Sequence, residues 1–248
     1  MTGPVNRRPM HAKLSPEQNF SRHIAGNRYP GRGLIIGRTA EDDAWLVVYW
    51  IMGRSERSRN RRFMVDGPEL RTLPADPSRL DKPDLIIYPA MLELPGIYIV
   101  ANGDQSLTIR DALTRGGTFE AALATREREP DAPNYTPRIS GMLDLTRTPA
   151  VSLSVLRANP VDPTNTDRAT YAPTPPPAGL GQCLTTYMGD GDPLPEFTGD
   201  PLVMPLRGGA EEVMGTYWNA LDRENRIAIA VKRVARGGGS ELMVINRF

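Results

Sequence analysis

The chain is poor in the residues that most often carry chemistry. It has one cysteine, Cys183, and two histidines, His11 and His23, among 248 residues. A single cysteine excludes an internal disulfide framework and fits a reducing compartment. Both histidines fall in a polar stretch ahead of the first apolar run, read as part of a mobile tail. A histidine metal site, a Ser-His-Asp triad and a Cys-His pair each then lack a ligand or base near the core. No metal or other cofactor is expected, and any catalysis must rest on carboxylate, tyrosine, arginine, serine or backbone groups. Lysine is scarce as well: only Lys13, Lys82 and Lys232 stand among thirty basic residues. A net charge of +1 argues against a nucleic-acid coat or a membrane-surface protein. No apolar run approaches a membrane span and no signal-peptide core follows the first arginines, so a cytoplasmic location is expected. Nucleotide fingerprints are missing too. The stretch GRGLIIGR from Gly31 has glycines at the wrong offsets for a dinucleotide fold and no Gly-Lys-Ser/Thr ending.

What is present is ordinary globular composition, 40% hydrophobic and 24% charged, in a chain long enough for a sizeable core. Residues 1–28 are polar, broken by Pro4, Pro9 and Pro16, and show no sustained period; they read as a tail or wrapping arm ahead of a single domain at 29–248. Leu34–Ile36 and Trp45–Met52 predict a hairpin buried on two faces, with a third short strand at Phe63–Val65. Asp84–Leu94 is ambiguous between strand and helix, and Ile97–Ala101 is a strand. Two helices are expected at Thr108–Arg115 and Thr118–Arg128, with Thr118 as N-cap and Glu120 complementing the helix dipole. Pro130 and Pro133 end that pattern, and strands resume at Ile139–Leu145 and Val151–Leu156. Pro160–Pro177 reads as an extended surface loop. Strands follow at Cys183–Met188 and Val203–Leu206, a helix at Ala210–Leu221, and a last hairpin from Ile227–Val234 and Leu242–Ile245. Segregated strands and helices of this kind predict an α+β fold, two packed sheets with outer helices.

The segment GRSERSRNRRF, Gly53 to Phe63, carries five arginines and one glutamate directly after the uncharged run Trp45–Met52. Guanidinium forks suit phosphate or carboxylate. If the segment is extended, Arg57, Arg59 and Arg61 share one face with Ser55. A solvated arginine-rich loop and an anion site both fit this composition. Other polar positions fall at the ends of the expected strands, where loops can converge: Arg32, Tyr88, Asn102-Gly103-Asp104-Gln105, Glu127 to Asp131, and Thr136-Pro137-Arg138.

Taken in order, these pieces resemble the IMP cyclohydrolase family of the archaeal type and its bacterial relatives. The matching stretches are YPGRGLIIGR from Tyr29, YWIMGRSERSRNRRF from Tyr49, LIIYPAM from Leu85, IVANGDQSLTI from Ile99, EREPDAPNYTPRIS from Glu127 and, more weakly, CLTTY from Cys183. The resemblance implies a four-layer αββα sandwich like that of N-terminal-nucleophile hydrolases, without a processed nucleophile. It also implies closure of a 5-formamido-imidazole-4-carboxamide ribotide to IMP with loss of water, the last step of purine-nucleotide synthesis. Its ligand is a purine ribonucleotide, with no nucleic acid or membrane partner, and the arm and proline-rich loop could shape the interface of a homo-oligomer. Carried over by position, the resemblance puts phosphate on Arg54, Ser55, Arg59, Asn60 and Arg61 with Arg32 nearby, and Tyr88 at the reacting oxygen. Glu129 would accept the amide proton, with Glu127 as a competing choice. Asn102 and Asp104 would orient the carboxamide or form a donor pocket, beside Gly103, and Arg138 would neutralise charge or pair with Asp131. The basic segment is longer than in the archaeal form, and Tyr88 precedes Pro89 where relatives often carry Asn. Such a pocket could also serve a purine-nucleotide-binding protein of different or no chemistry. A nucleic-acid-binding module on the arginine stripe lacks interleaved aromatics. An amide hydrolase of this fold would need an exposed N-terminal Ser, Thr or Cys, which Tyr29 does not offer.

Overall fold

The computed structural model describes residues 14–79 and 86–248. His11 and the opening residues of the Asp84–Leu94 segment lie outside the described residues. The organising strand is β2 (Trp45–Met52), eight uncharged residues, of which seven are buried. Its alternation divides them: Val47, Tyr49 and Ile51 enter one apolar cluster, and Leu46, Val48, Trp50 and Met52 enter another. A strand covered on both faces has no place for a charge, which is why this run reads as continuously apolar. Each large side chain buried there contributes roughly 1.5–3 kcal/mol over its exposed state.

β1 (Gly33–Arg38) forms the expected hairpin with β2, in antiparallel register Gly33 to Trp50 and Arg38 to Trp45. Around them assemble β10 (Leu180–Thr185), β11 (Leu202–Pro205), β12 (Arg226–Val234) and β13 (Ser240–Asn246), giving a six-stranded sheet in the order β11-β10-β1-β2-β12-β13. The second sheet has seven strands in chain order: β3 (Arg62–Asp66), β4 (Glu69–Leu73), β5 (Tyr88–Leu94), β6 (Ile97–Ala101), β7 (Arg138–Asp144), β8 (Val151–Ala158) and β9 (Thr166–Tyr171). All strand pairs are antiparallel. Residues of both sheets, Leu34, Tyr49, Tyr88, Val100 and Leu153 among them, share one cluster between the sheets.

Helices cover the outer faces. On the seven-stranded sheet, α3 (Gln105–Thr114) and α4 (Phe119–Ala124) bury Ile109, Phe119 and Leu123 against Leu92, Ile99 and Met142. Thr118 does cap α4, its side chain accepting from Ala121 N. On the six-stranded sheet, α5 (Ala210–Ala220) sets Tyr217 over Trp50, ring centroids 6.2 Å apart. The molecule is thus mixed α+β, two antiparallel sheets with helices outside. Among the described residues no helix is long and apolar enough to cross a membrane. Toward one end of the sandwich the buried Lys232 of β12 reaches across to Glu93 of β5, Nζ to Oε2 2.8 Å, and to the Pro68 carbonyl.

Two expectations are corrected, for the proline-rich loop and the extended arginine segment, and two open readings are resolved. Of the tail and the wrapping arm, the residues from 14 onward form the arm: α1 (Pro16–Phe20) runs into a π-helical turn at Ser21–Ala25, with Ile24 fully buried and His23 nearly so, not in a mobile tail. Burial, helped by Arg22, lowers the His23 pKa. The proline-rich loop contains the edge strand β9, because Thr166–Tyr171 holds β-branched and aromatic residues and no proline. The ambiguous segment resolves as β5, paired on both sides, and β4 was not foreseen. Finally, the arginine segment is not extended. Glu56–Arg59 form a single helical turn, α2, held by a reciprocal Ser55–Ser58 capping pair.

Candidate active site

At the sandwich end away from the Lys232 clasp, the beginnings of β1, β5 and β7 meet the ends of β2, β6 and β10. Arg32, one residue before β1, points into this junction. Its Nη2 donates to Glu129 Oε2 at 3.1 Å and its Nη1 to the Asn102 carbonyl at 3.5 Å, while its backbone N–H donates to Thr186 Oγ1 at 3.0 Å. Both charged side chains are nearly enclosed, 11% and 7% exposed. Burial, with Asp131 adding to it, raises the Glu129 carboxyl pKa against the opposing pull of Arg32 and Arg138. On Arg32 burial acts downward, but Glu129 and the phenols of Tyr88, Tyr49 and Tyr187 outweigh it, so the guanidinium stays charged.

Beside this pair, Tyr49 from one sheet and Tyr88 from the other join oxygens at 2.9 Å. Burial and Tyr88 push the Tyr49 pKa up against the pull of Arg32, which keeps its hydroxyl protonated. Two phenols sharing one hydrogen bond hold two protons, so one proton remains for a further acceptor. A third phenol, Tyr187, stacks on Tyr29 with centroids 5.9 Å apart and meets Thr136 Oγ1 at 2.7 Å. Glu129 is fixed next to Thr136 by a backbone bond, N to O 3.2 Å. Burial raises the Tyr187 pKa too.

The structure therefore brings Arg32, Tyr88 and Glu129 into one buried junction. Glu127 lies elsewhere: its side chain is 62% exposed and pairs with Arg168. Asn102 is fully buried, but its side chain ties strand ends together, Nδ2 donating to the Pro137 carbonyl and Oδ1 accepting from Ile139 N and Gln105 Nε2. Its carbonyl accepts from Arg32, and its side-chain hydrogen bonds go to the framework. Asp104 sits between Arg126 and Arg138, and those cations lower its pKa against the opposing effect of burial. Arg138 pairs with Asp104, not with Asp131, and also donates to Gln105 Oε1 at 2.8 Å. Gly103 leaves it room, since a Cβ there would stand 2.5 Å from Arg138 Nη1.

The basic segment divides as well. Arg54 reaches the rim of the junction: its guanidinium lies over the Tyr29 ring at 5.1 Å, and Nη1 donates to Asp190 Oδ1 at 2.6 Å and to the Gly191 carbonyl at 2.9 Å. Ser55 caps α2. Arg59 donates to the Gly53 carbonyl and to Asn225 Oδ1, and Arg61 to the carbonyls of Ser58 and Met52, both at 2.7 Å. Asn60 exchanges hydrogen bonds with the backbone of Asp76. Four of the expected phosphate ligands, Ser55, Arg59, Asn60 and Arg61, thus hold the turn and its surroundings in shape. Tyr29, Tyr49 and Tyr187 were not singled out from the sequence. Tyr49 alternates like any core aromatic in an apolar strand, and the one hint for Tyr187 was its place in the CLTTY stretch.

No curated protein matches the chain. A family model described as IMP cyclohydrolase-like protein matches residues 29–238, a span that includes every site residue named above. The chain belongs to the IMP cyclohydrolase-like protein family.

Proposed function

We propose that the protein closes a 5-formamido-imidazole-4-carboxamide ribotide to IMP with loss of water, on a sandwich akin to that of N-terminal-nucleophile hydrolases. The observation that carries this reading is the buried Arg32–Glu129 pair, lying within electrostatic reach of the Tyr49–Tyr88 phenols. The carboxamide nitrogen attacks the formyl carbon, its proton passes to Glu129, and the formyl oxygen takes a proton from Tyr88. In the resulting carbinolamine the C–O bond breaks. Water leaves with the proton returned by Glu129, and the former formamide nitrogen gives its proton back to Tyr88, forming the ring C=N bond. A carboxyl with a raised pKa suits both halves of this exchange. Both reacting groups belong to one molecule, so holding them in contact supplies much of the acceleration.

The direct test is IMP formation from this ribotide by purified protein. Turnover is expected, and Tyr88→Phe is expected to lower kcat by about 10²-fold, within the range for loss of a positioned acid or base. No turnover by folded wild type overturns the reading. If mononucleotides still bind tightly, the second reading stands: a purine-nucleotide-binding relative with another substrate or none. The engagement of Arg59 with Asn225, of Asn60 with Asp76 and of Arg61 with the Met52 carbonyl favours that alternative. A nucleic-acid-binding module is disfavoured on the same ground.

On the ribotide reading Arg54 is the phosphate ligand at the rim, and Asp190 now occupies its guanidinium. Removing the competing carboxylate in Asp190→Asn is expected to tighten ribotide binding several-fold. Stability should change by no more than about 1 kcal/mol, because the pair is partly exposed. Unchanged or weaker binding in titration calorimetry counts against Arg54 as the anchor.

A further inference from the structure

Tyr187 has a hydrogen-bond polarity that its neighbours dictate. Asp131 accepts twice from Thr136: Oδ1 from the backbone N–H at 2.7 Å and Oδ2 from the hydroxyl. A carboxylate has no proton to offer, so the single proton of Thr136 Oγ1 points at Asp131. The 2.7 Å contact between Thr136 Oγ1 and the Tyr187 hydroxyl can then form only one way, with Tyr187 donating. Its proton being turned away, the Tyr187 oxygen has only lone pairs left to present. The ring cannot swing to relieve this. It stacks on Tyr29, and Gly31 lies so close that a Cβ there would stand 2.5 Å from Tyr187 Cδ2.

The adjoining group is an acceptor as well. Glu129 is joined to Thr136 through the backbone, and the positive charge of Arg32 acts on both Glu129 and Tyr187. A ligand group that reaches both the Tyr187 oxygen and the Glu129 carboxylate is therefore met by two acceptors.

We infer that Tyr187, polarised through Thr136 by Asp131, is a specificity determinant that selects a primary carboxamide over a carboxylate at the nucleophile position of the ligand. A carboxamide NH₂ offers two donors to the two acceptors. A carboxylate in the same place offers none, leaving the Tyr187 lone pair without a donor and setting a second negative charge against Glu129, so it is rejected by mismatch as much as the amide is attracted. This rests on the ribotide reading and adds to it the residue that distinguishes the amide from its acid.

The test compares dissociation constants, by calorimetry at constant pH and salt, for 5-amino-imidazole-4-carboxamide ribotide and the corresponding 4-carboxylate ribotide. Wild type is expected to prefer the carboxamide by about 10- to 100-fold, the size usual for a mispaired polar group in an enclosed site. Tyr187→Phe should reduce the preference to a few-fold. Thr136→Val leaves the phenol proton without its acceptor and free to donate, so the preference should collapse or reverse, whereas Thr136→Ser, which keeps the hydroxyl, should retain it. Equal binding of both compounds by wild type overturns the inference and leaves the ribotide reading intact. So does an undiminished preference in Thr136→Val or in Tyr187→Phe, either of which suffices if the other does not fold. Binding of neither compound by folded wild type overturns both readings.

Discussion

Glu129→Gln is expected to lower kcat for ribotide ring closure by about 10²–10⁴-fold, the contribution typical of a positioned general base. Glutamine keeps an oxygen that Arg32 Nη2 can reach, so the 3.1 Å contact and the local fold should survive while the capacity to take a proton is lost. The pH profile sharpens the test. Burial raises the Glu129 carboxyl despite the opposing Arg32, and only the ionised form accepts a proton. Wild-type kcat should therefore fall as pH drops through that raised value, and the residual activity of the variant should lack this limb. A variant with wild-type kcat, or one that keeps the acid limb, removes Glu129 from the mechanism. A matching loss in Glu127→Gln, whose carboxylate is exposed beside Arg168, would point to general destabilisation instead.

Gly31→Ala is expected to destabilise the fold by several kcal/mol, on the order of the strain and overpacking costs together. Gly31 has φ +70°, and a Cβ would stand 2.1 Å from Thr186 Oγ1 and 2.5 Å from Tyr187 Cδ2. The left-handed conformation costs an alanine roughly 1–2 kcal/mol, and forcing a methyl into packed surroundings adds about 1–3 kcal/mol. Neither neighbour can step aside cheaply, since Thr186 Oγ1 receives the Arg32 N–H and Tyr187 is held by Thr136 and Tyr29. For a domain of this size each 1 kcal/mol lowers Tm by about 2–4 °C, so a fall of roughly 5–15 °C should be seen in thermal melts. Ribotide turnover should drop with it even below the new Tm, because the displaced atoms are those that place Arg32 and Tyr187. An unchanged Tm would mean that the turn before β1 rearranges freely.

The parts of this architecture that local rules govern were legible in the sequence. The β1–β2 hairpin, the Thr118 cap and the final hairpin each depend on residues a few positions apart. The α1 cap was legible in principle, since Ser15-Pro16-Glu17-Gln18 holds a capping box with proline in the first turn. Three prolines and the lack of a sustained apolar period weighed against a helix, but a five-residue helix docked on β11 needs no long period. The arginine segment misled for the converse reason. Period-two spacing of Arg57, Arg59 and Arg61 suits a strand, yet the Ser55–Ser58 pair closes a helical turn in which Arg59 and Arg61 bind the nearby carbonyls of Gly53 and Ser58. Beyond local reach lay everything decided by one sheet facing the other: that Tyr49 meets Tyr88, that Glu129 and not Glu127 finds Arg32, and that Asn102 turns its side chain into the framework.

The order of strands has a consequence for how the protein is made. The seven-stranded sheet runs through consecutive strands and can form as the chain emerges, whereas β1 and β2 acquire their outer neighbours only when β10 and β12 arrive. From Met52 to Leu180, at about 5–20 residues per second, the first hairpin waits on the order of six to twenty-five seconds with both edges unpaired, and the β2 edge stays open until Arg226 follows. Tyr49 lies on that hairpin, so the junction with Tyr88 is among the last features to become rigid. Chaperone dependence and aggregation in the newborn chain should therefore concentrate on Trp45–Met52, a hazard of synthesis that leaves no trace in the finished molecule.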